Sequence, residues 1–430
     1  MSKEPTAVVV GAGIIGAAIA LELSRNGYTV TVVDAGPGPG TGSTSASSAI
    51  VRYHYANFDE AAIAWESAQR WAAWATHLGD RDPAGMAQFH PCGLLLLPGA
   101  LIDMDGPLVN MRALGIDVIE LTADQVRDRF PALDPSRFGP PSRPDEDQFW
   151  ADPHGDSTAY WMPQCGFVDD PQLAAHNLAH AATRHRATFR YRTQVTAVCR
   201  DNDHVLGVQL ATGEQIDADV VVNAAGPWSA QLNTLAGVLD DFAPSTRPLE
   251  QQIVTMAAPD GFTTTSGACV ADADLGTYFR PHPGDTLVVG GMEAPCDPLI
   301  WLDDPREARD NIDADTWTTQ TLRVARRLPT VGIPGRHTGI VGVYDVSDDW
   351  IPIYDRTALD GFYVAIGTSG HGFKSAPVVG ELMAALITRC EAGQPHDAEP
   401  LRLPAHATGQ TVNMGTFSRR RAVHAKAHMS

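Results

Sequence analysis

The sequence predicts a mixed α/β protein built on a Rossmann-like dinucleotide-binding unit, and three observations carry that reading. A β-branched run at residues 6–10 leads into the glycine sequence GAGIIG (residues 11–16) and a helical stretch at 17–26. A second apolar run, 28–33, ends on Asp34. Two later strands, 219–223 and 361–366, each enter a glycine-bearing turn, NAAGPW and GTSGHGFK.

Each glycine of the first motif has a physical reason. Gly11 makes the tight turn, Gly13 lets backbone approach a pyrophosphate at the helix N-terminus, and Gly16 lets helix and strand pack closely. Ile14 and Ile15 complete that turn beside the nucleotide. The Asp34 carboxylate is placed to accept both ribose hydroxyls and repels a 2′-phosphate; Ala35 follows it. A nicotinamide dehydrogenase repeats strand–helix units at this point. Here a Gly/Ser/Thr loop, 36–48, carries Ser43, Ser45 and Ser48 and precedes a helical stretch at 59–78. Small hydroxyl residues suit a flavin lying along the loop. Two alternating strands, 193–199 with Val195 and 205–210, are joined by a turn at 201–203. The strand 219–223 delivers Ala225, Gly226 and Trp228, and the strand 361–366 delivers Gly370, Gly372 and Phe373. A helix expected at 376–390, with Pro377 in its first turn, aims its positive end at the flavin.

The chain of 430 residues holds about three domains' worth at roughly 150 residues each, with two the safer count. Hydrophobic residues at 44% and charged residues at 19% exclude a disordered acidic chain, and 39 glycines with 31 prolines point to a turn-rich globular protein. A net charge of −20 argues against a nucleic-acid partner. The six cysteines show neither a CxxC pair nor zinc-like spacing, so no metal is expected and the thiols read as reduced and cytoplasmic. The apolar stretch 7–23 is broken by three glycines and contains Glu22, which reads as strand and helix rather than a signal peptide. No other apolar run approaches the roughly 20 residues of a membrane helix, so no membrane partner is expected.

GAGIIG with Asp34, the strand ending in NAAGPW, and GTSGHGFKSAPVVGELMAALI together resemble the D-amino-acid oxidase superfamily of FAD-dependent amine oxidoreductases. The resemblance is greatest to the group of monomeric sarcosine oxidase, N-methyltryptophan oxidase and dimethylglycine dehydrogenase-like proteins. It implies a Rossmann-like FAD-binding domain of glutathione-reductase type assembled from residues 1–88, 166–244 and 340–404. An antiparallel-sheet substrate domain, 89–165 and 245–339, is interleaved with it, and 405–430 forms a C-terminal surface extension. The implied reaction oxidises a small amino acid or N-alkyl amino acid to an imine that hydrolyses, with oxygen or another acceptor taking the electrons. A monomer or homodimer is implied as well.

Carried over residue by residue, Arg52 in AIVRYHY and Lys374 in GHGFK match the pair that binds substrate carboxylate in the sarcosine-oxidase group. The other lysines are Lys3 and Lys426, near the termini, so a single lysine in the body inside a glycine-rich turn stands out. Tyr344 and Tyr278 match active-site tyrosines, and His371 is expected to hydrogen-bond the flavin. Three positions depart from the group. No cysteine stands near Gly342 to link the flavin, and Ser45 stands where some relatives carry a histidine, so FAD is expected to be noncovalent. Ala49 replaces a flavin-side arginine. The strand that carries an oxygen-activating lysine reads TLVVG (286–290), leaving Arg280 or His282 to supply positive charge. An FAD-dependent 2-hydroxy-acid dehydrogenase, or the flavin subunit of an electron-transfer complex, is the alternative. The Pro- and Asp-rich segment 131–163 reads as a lid over the substrate pocket or an oligomer contact.

Overall fold

The computed structural model describes residues 4–423 and contains two large sheets that share one junction. The first has six strands in the spatial order Ile353–Arg356, Phe362–Ile366, Val220–Asn223, Thr6–Val10, Thr29–Val33, Thr188–Arg190. All pairings are parallel except that of the edge strand Ile353–Arg356. The central strands are valine-rich and buried because helices cover one face and a three-stranded antiparallel layer the other. Helix Ile14–Arg25 packs on the long helix Gly372–Glu391 through Gly380, where a Cβ would stand 2.7 Å from the Ala18 carbonyl oxygen.

The expected elements are present, with shifted ends. The first helix opens at Ile14, directly after the glycine turn. The expected 59–78 helix is two, Phe58–Ala72 and Trp74–Leu78, interrupted at Ala73. The last long helix opens at Gly372 rather than 376, which puts Pro377 inside it. Positive φ at Gly367, Ser369 and Gly370 turns the chain so sharply that helix follows at once. Pro377 cannot donate to the Phe373 carbonyl. In the same turn, the Lys374 carbonyl accepts from Trp71 Nε1 at 2.9 Å and the Ser375 carbonyl from Ser67 Oγ at 3.1 Å, which ties helix Phe58–Ala72 to the turn around Pro377.

The second sheet is mostly antiparallel and contains Thr246–Ala257, Thr286–Gly291, Thr277–His282, Cys269–Asp272, Leu94–Leu97 and Ala159–Met162. Strand Gly339–Ser347 pairs with Thr246–Ala257 from Gly339 to Ser347. The chain therefore stays in the antiparallel sheet through Ser347 and enters the six-stranded one at Ile353, not at 340. That overlap delivers Tyr344 to the junction.

Of segment 131–163, Ala159–Met162 is a strand of this sheet, and the rest runs against two buried arginines, Arg323 and Arg327. Arg327 donates to the carbonyls of Asp134 and Ser136, and Arg323 to that of Ser142, while the Asp274 carboxylate accepts the Phe138 and Gly139 amides. No residue of it lines either cavity described below, so the lid reading is corrected to a strap over two buried arginines.

The tail is likewise no loose extension. The turn of hairpin Arg402–Ala405/Gln410–Asn413 sets the Ala407 and Thr408 amides on the Glu66 carboxylate, and the Asn413 amide donates to Asp59. Arg419 is fully buried among Asp241, Asp355 and Asp397. Residues 424–430 lie outside the described residues, as do Lys426 and Lys3. Replacing Arg419 by Met takes the guanidinium from the buried Asp355 carboxylate, leaving it the Ser418 hydroxyl, backbone amides and nearby His396, and urea unfolding should show a loss of about 3–5 kcal/mol.

Candidate active site

The first cavity, about 650 Å³, runs along the C-terminal ends of the parallel strands. Gly11, with φ +110°, donates to the Val33 carbonyl, and a Cβ on it would lie 2.2 Å from the Ala224 oxygen. A Cβ on Gly16 would lie 1.9 Å from the Gly11 oxygen. These contacts hold strand, helix and the 224–226 turn together, so the motif is a built turn and not a loose loop. Gly11, Gly13, Ile14, Ile15, Asp34, Ala35 and Ser43 line the cavity from one side. Val195, Ala225, Gly226, Trp228, Gly370, Gly372 and Phe373 line it from the other.

Asp34 uses one oxygen for the Ala12 amide and the other for the Gly36 amide, both at 2.6 Å. Each oxygen keeps a further lone pair for a hydroxyl donor. Thr44, absent from the sequence reading, places its hydroxyl 3.0 Å from the Ile14 amide, at the helix N-terminus where an anionic group is favoured. Two assignments are corrected. Ser45 turns back to the Gly42 carbonyl and lines neither cavity, and Gly16 acts beneath the surface. Ser48 and Lys374 face the second cavity only.

The second cavity, about 80 Å³, adjoins the first, sharing Ser47, Tyr344, Gly370 and Phe373. Arg52, Lys374, Tyr278, Tyr344 and His371 all line it, so residues more than 300 positions apart meet here. Two glycines make room for the phenols. A Cβ on Gly290 would lie 2.3 Å from the Tyr278 ring, and one on Gly370 2.7 Å from the Tyr344 ring. Burial raises the pKa of both tyrosines, so they stay protonated. Arg52 donates to the His54 carbonyl at 3.2 Å, and its guanidinium lies 4.8 Å from the Tyr55 ring centroid, with Lys374 Nζ at 5.7 Å. Among the described residues neither cation forms a salt bridge. Burial and the Arg52 charge push the Lys374 pKa well below its usual range.

Arg280 and His282 do not line the cavity. Arg280 is buried, donates to the Ser48 carbonyl at 2.6 Å and lies 4.2 Å from the Phe167 ring centroid. Burial lowers its pKa to about 10. Val288, in the strand 286–290 where a lysine is expected, pairs with it across the sheet. Glu22, His77 and Glu381 also converge, but Arg25 and Arg70 already pair their carboxylates, which makes this an ion-pair network.

The family profile described as "FAD dependent oxidoreductase" (DAO) matches residues 6–386. The chain belongs to this FAD-dependent oxidoreductase family. The oxidoreductase is 25% identical over 412 residues to glycine oxidase of Geobacillus kaustophilus, covering 94% of this chain and 98% of that one. It is 25% identical over 414 residues to FAD-dependent oxidoreductase domain-containing protein 1 of Xenopus laevis, covering 88% and 78%. In fold it is similar to the L-proline dehydrogenase structure from P. horikoshii, with TM-score 0.73 and 22% identity over 92% of this chain and 96% of that one. No helix among the described residues is long and apolar enough to cross a membrane.

The first cavity fits the cofactor: a glycine cradle that a Cβ would close, a helix N-terminus for the pyrophosphate and a carboxylate for the ribose. No cysteine lines either cavity. Acid precipitation of the oxidoreductase should therefore release all its FAD to the supernatant; flavin retained on the pellet would contradict noncovalent binding.

Sequence reasoning missed three acidic or basic neighbours. Glu60 sits 3.4 Å from His371 Nδ1, with burial raising its pKa to about 8. Glu293 is pushed to about 7 by burial, with Oε2 unpartnered. His54 lines the small cavity with Nδ1 unpartnered. Glu60 reads in sequence as an ordinary first-turn acid of a helix capped by Asn57, so nothing there separates it from a solvated one.

Proposed function

We propose that the oxidoreductase oxidises the C–N bond of a small amino acid or N-alkyl amino acid, with Arg52 and Lys374 holding the carboxylate. The observation that carries this is the pair itself: two cations in the wall of one cavity, with no acidic side chain at bridging distance among the described residues. A buried charge without a partner is costly, and an anionic ligand removes that cost. Cavity size supports a small substrate. At about 10–15 Å³ per water-sized occupant, 80 Å³ admits roughly five to eight heavy atoms, the size of glycine, sarcosine or proline. Glycine oxidase and L-proline dehydrogenase among the similar proteins agree with that class.

When bound, FAD accepts the electron pair released from the substrate's α-carbon. The chain's own groups fix the carboxylate through Arg52 and Lys374, enclose the substrate between Tyr278 and Tyr344, and exclude water with Leu94, Ile102 and Met292. Gly372 and Phe373 bring the positive end of helix Gly372–Glu391 to the cofactor cavity, where it favours negative charge. The imine then hydrolyses in water. Oxygen or another acceptor takes the electrons, with Arg280 as a buried cation behind Ser48. Incubation with glycine, sarcosine, proline, glycolate and lactate, followed by carbonyl-product assay, tests the reading. Amino acids should give product; turnover of the hydroxy acids alone would support the 2-hydroxy-acid alternative instead.

A further inference from the structure

We propose that His371, oriented by Glu60, takes the proton from the substrate's ammonium group. This rests on the proposed function. The C–N bond is oxidised only after the nitrogen lone pair is free, and an amino acid arrives protonated. His371 lines the small cavity and is 93% buried by its 7% exposure. Its Nδ1 faces Glu60 Oε1 at 3.4 Å, while Nε2 has no partner. With Nδ1–H donating to Glu60, Nε2 is left as the acceptor. The Tyr55 ring meets the imidazole edge-on at 5.0 Å, which fixes its plane.

The charged groups facing this dyad are Arg52, Lys374 and His54 around the imidazole, and Arg421 and Asp349 behind Glu60. In the free protein, burial and then Lys374, Arg52 and His54 hold His371 well below its ordinary range. A carboxylate seated on Lys374 and Arg52 counters two of those causes. The step balances as one proton moving from the substrate nitrogen to His371 Nε2, giving a neutral amine and an imidazolium; no bond to carbon changes. An amine without a carboxylate leaves the base switched off, so the device selects amino acids over simple amines.

Anaerobic stopped-flow mixing follows bleaching of the flavin absorbance by glycine, sarcosine or proline, whichever reduces the unmodified protein fastest, at about pH 7 and about pH 10. His371→Gln should slow bleaching about a hundredfold at the lower pH and recover to within about tenfold at the higher, where free amine arrives from solvent. Glu60→Gln should fall between the two. Equal slowing at both pH values, or none at the lower, overturns the assignment. A second measurement needs no turnover. On binding 2-aminoisobutyrate, which has no α-hydrogen to lose, the His371 ¹⁵N resonances should move to imidazolium values, and tert-butylamine, which lacks the carboxylate, should leave them neutral. Neutral resonances with both ligands refute the base even if variants misfold. If no amino acid bleaches the unmodified protein, the proposed function fails; if they do and the His371 signals stay neutral, only the base assignment fails.

Discussion

Gly13→Val should give a folded protein that carries no flavin. The residue has an ordinary φ of −69°, and a Cβ there meets only the Thr44 hydroxyl, at 3.3 Å. The fold therefore has room for a side chain, while the cofactor cavity that Gly13 lines does not. A branched side chain fills the approach of a pyrophosphate to the helix N-terminus. Gly11→Val makes the contrast. Its Cβ would enter the Ala224 carbonyl from a φ of +110°, so that variant should fail to accumulate as folded protein. Circular dichroism and the visible spectrum, measured together, separate the two outcomes. Gly13→Val with full flavin occupancy would remove the glycine motif from the cofactor site.

The next largest effect should come from the two cations. Arg52→Ala and Lys374→Met should each weaken acetate binding by about 1.5–3 kcal/mol, roughly ten- to a hundredfold, the range of hydrogen bonds to charged groups. Lys374→Met should also raise the melting temperature of the ligand-free protein. Burial holds the folded Lys374 pKa well below that of the unfolded chain, so between the two values the unfolded state binds a proton that the folded state lacks. Stability then climbs with rising pH through that window, and the climb should be shallower in Lys374→Met. The same linkage makes acetate binding take up a proton at any pH where Lys374 is neutral in the free protein, visible as a dependence of calorimetric heat on buffer ionisation. Equal heats in all buffers, and no change in affinity on substitution, would take Lys374 out of the carboxylate site.

Much of this was legible in the chain. Valine-rich parallel strands, each followed by a glycine-bearing or acid-capped turn, announce the nucleotide-binding sheet at residues 6–34 and again at 219–226. Lys374 stands out because the body of the chain uses arginine elsewhere. What sequence hides is side-chain direction across long separations. Ser45 and Ser43 look alike in the loop, yet one returns to Gly42 and the other faces the cavity while donating to the Val343 carbonyl. Arg419 looks like one of three surface arginines until Asp241, Asp355 and Asp397, from three other segments, close around it. Glu60 belongs to the same class: its meaning comes from His371, 311 residues later.

The proposed function requires that carboxylate-bearing amines be recognised through their carboxylate. Anaerobic reduction of the bound FAD by glycine, sarcosine and proline, set against methylamine, dimethylamine and pyrrolidine, tests it most directly. At least one amino acid should bleach the flavin about ten- to a hundredfold faster than its decarboxylated partner at equal concentration, and Arg52→Ala should erase most of that difference. Bleaching at equal rates within each pair, in the unmodified protein, would contradict it.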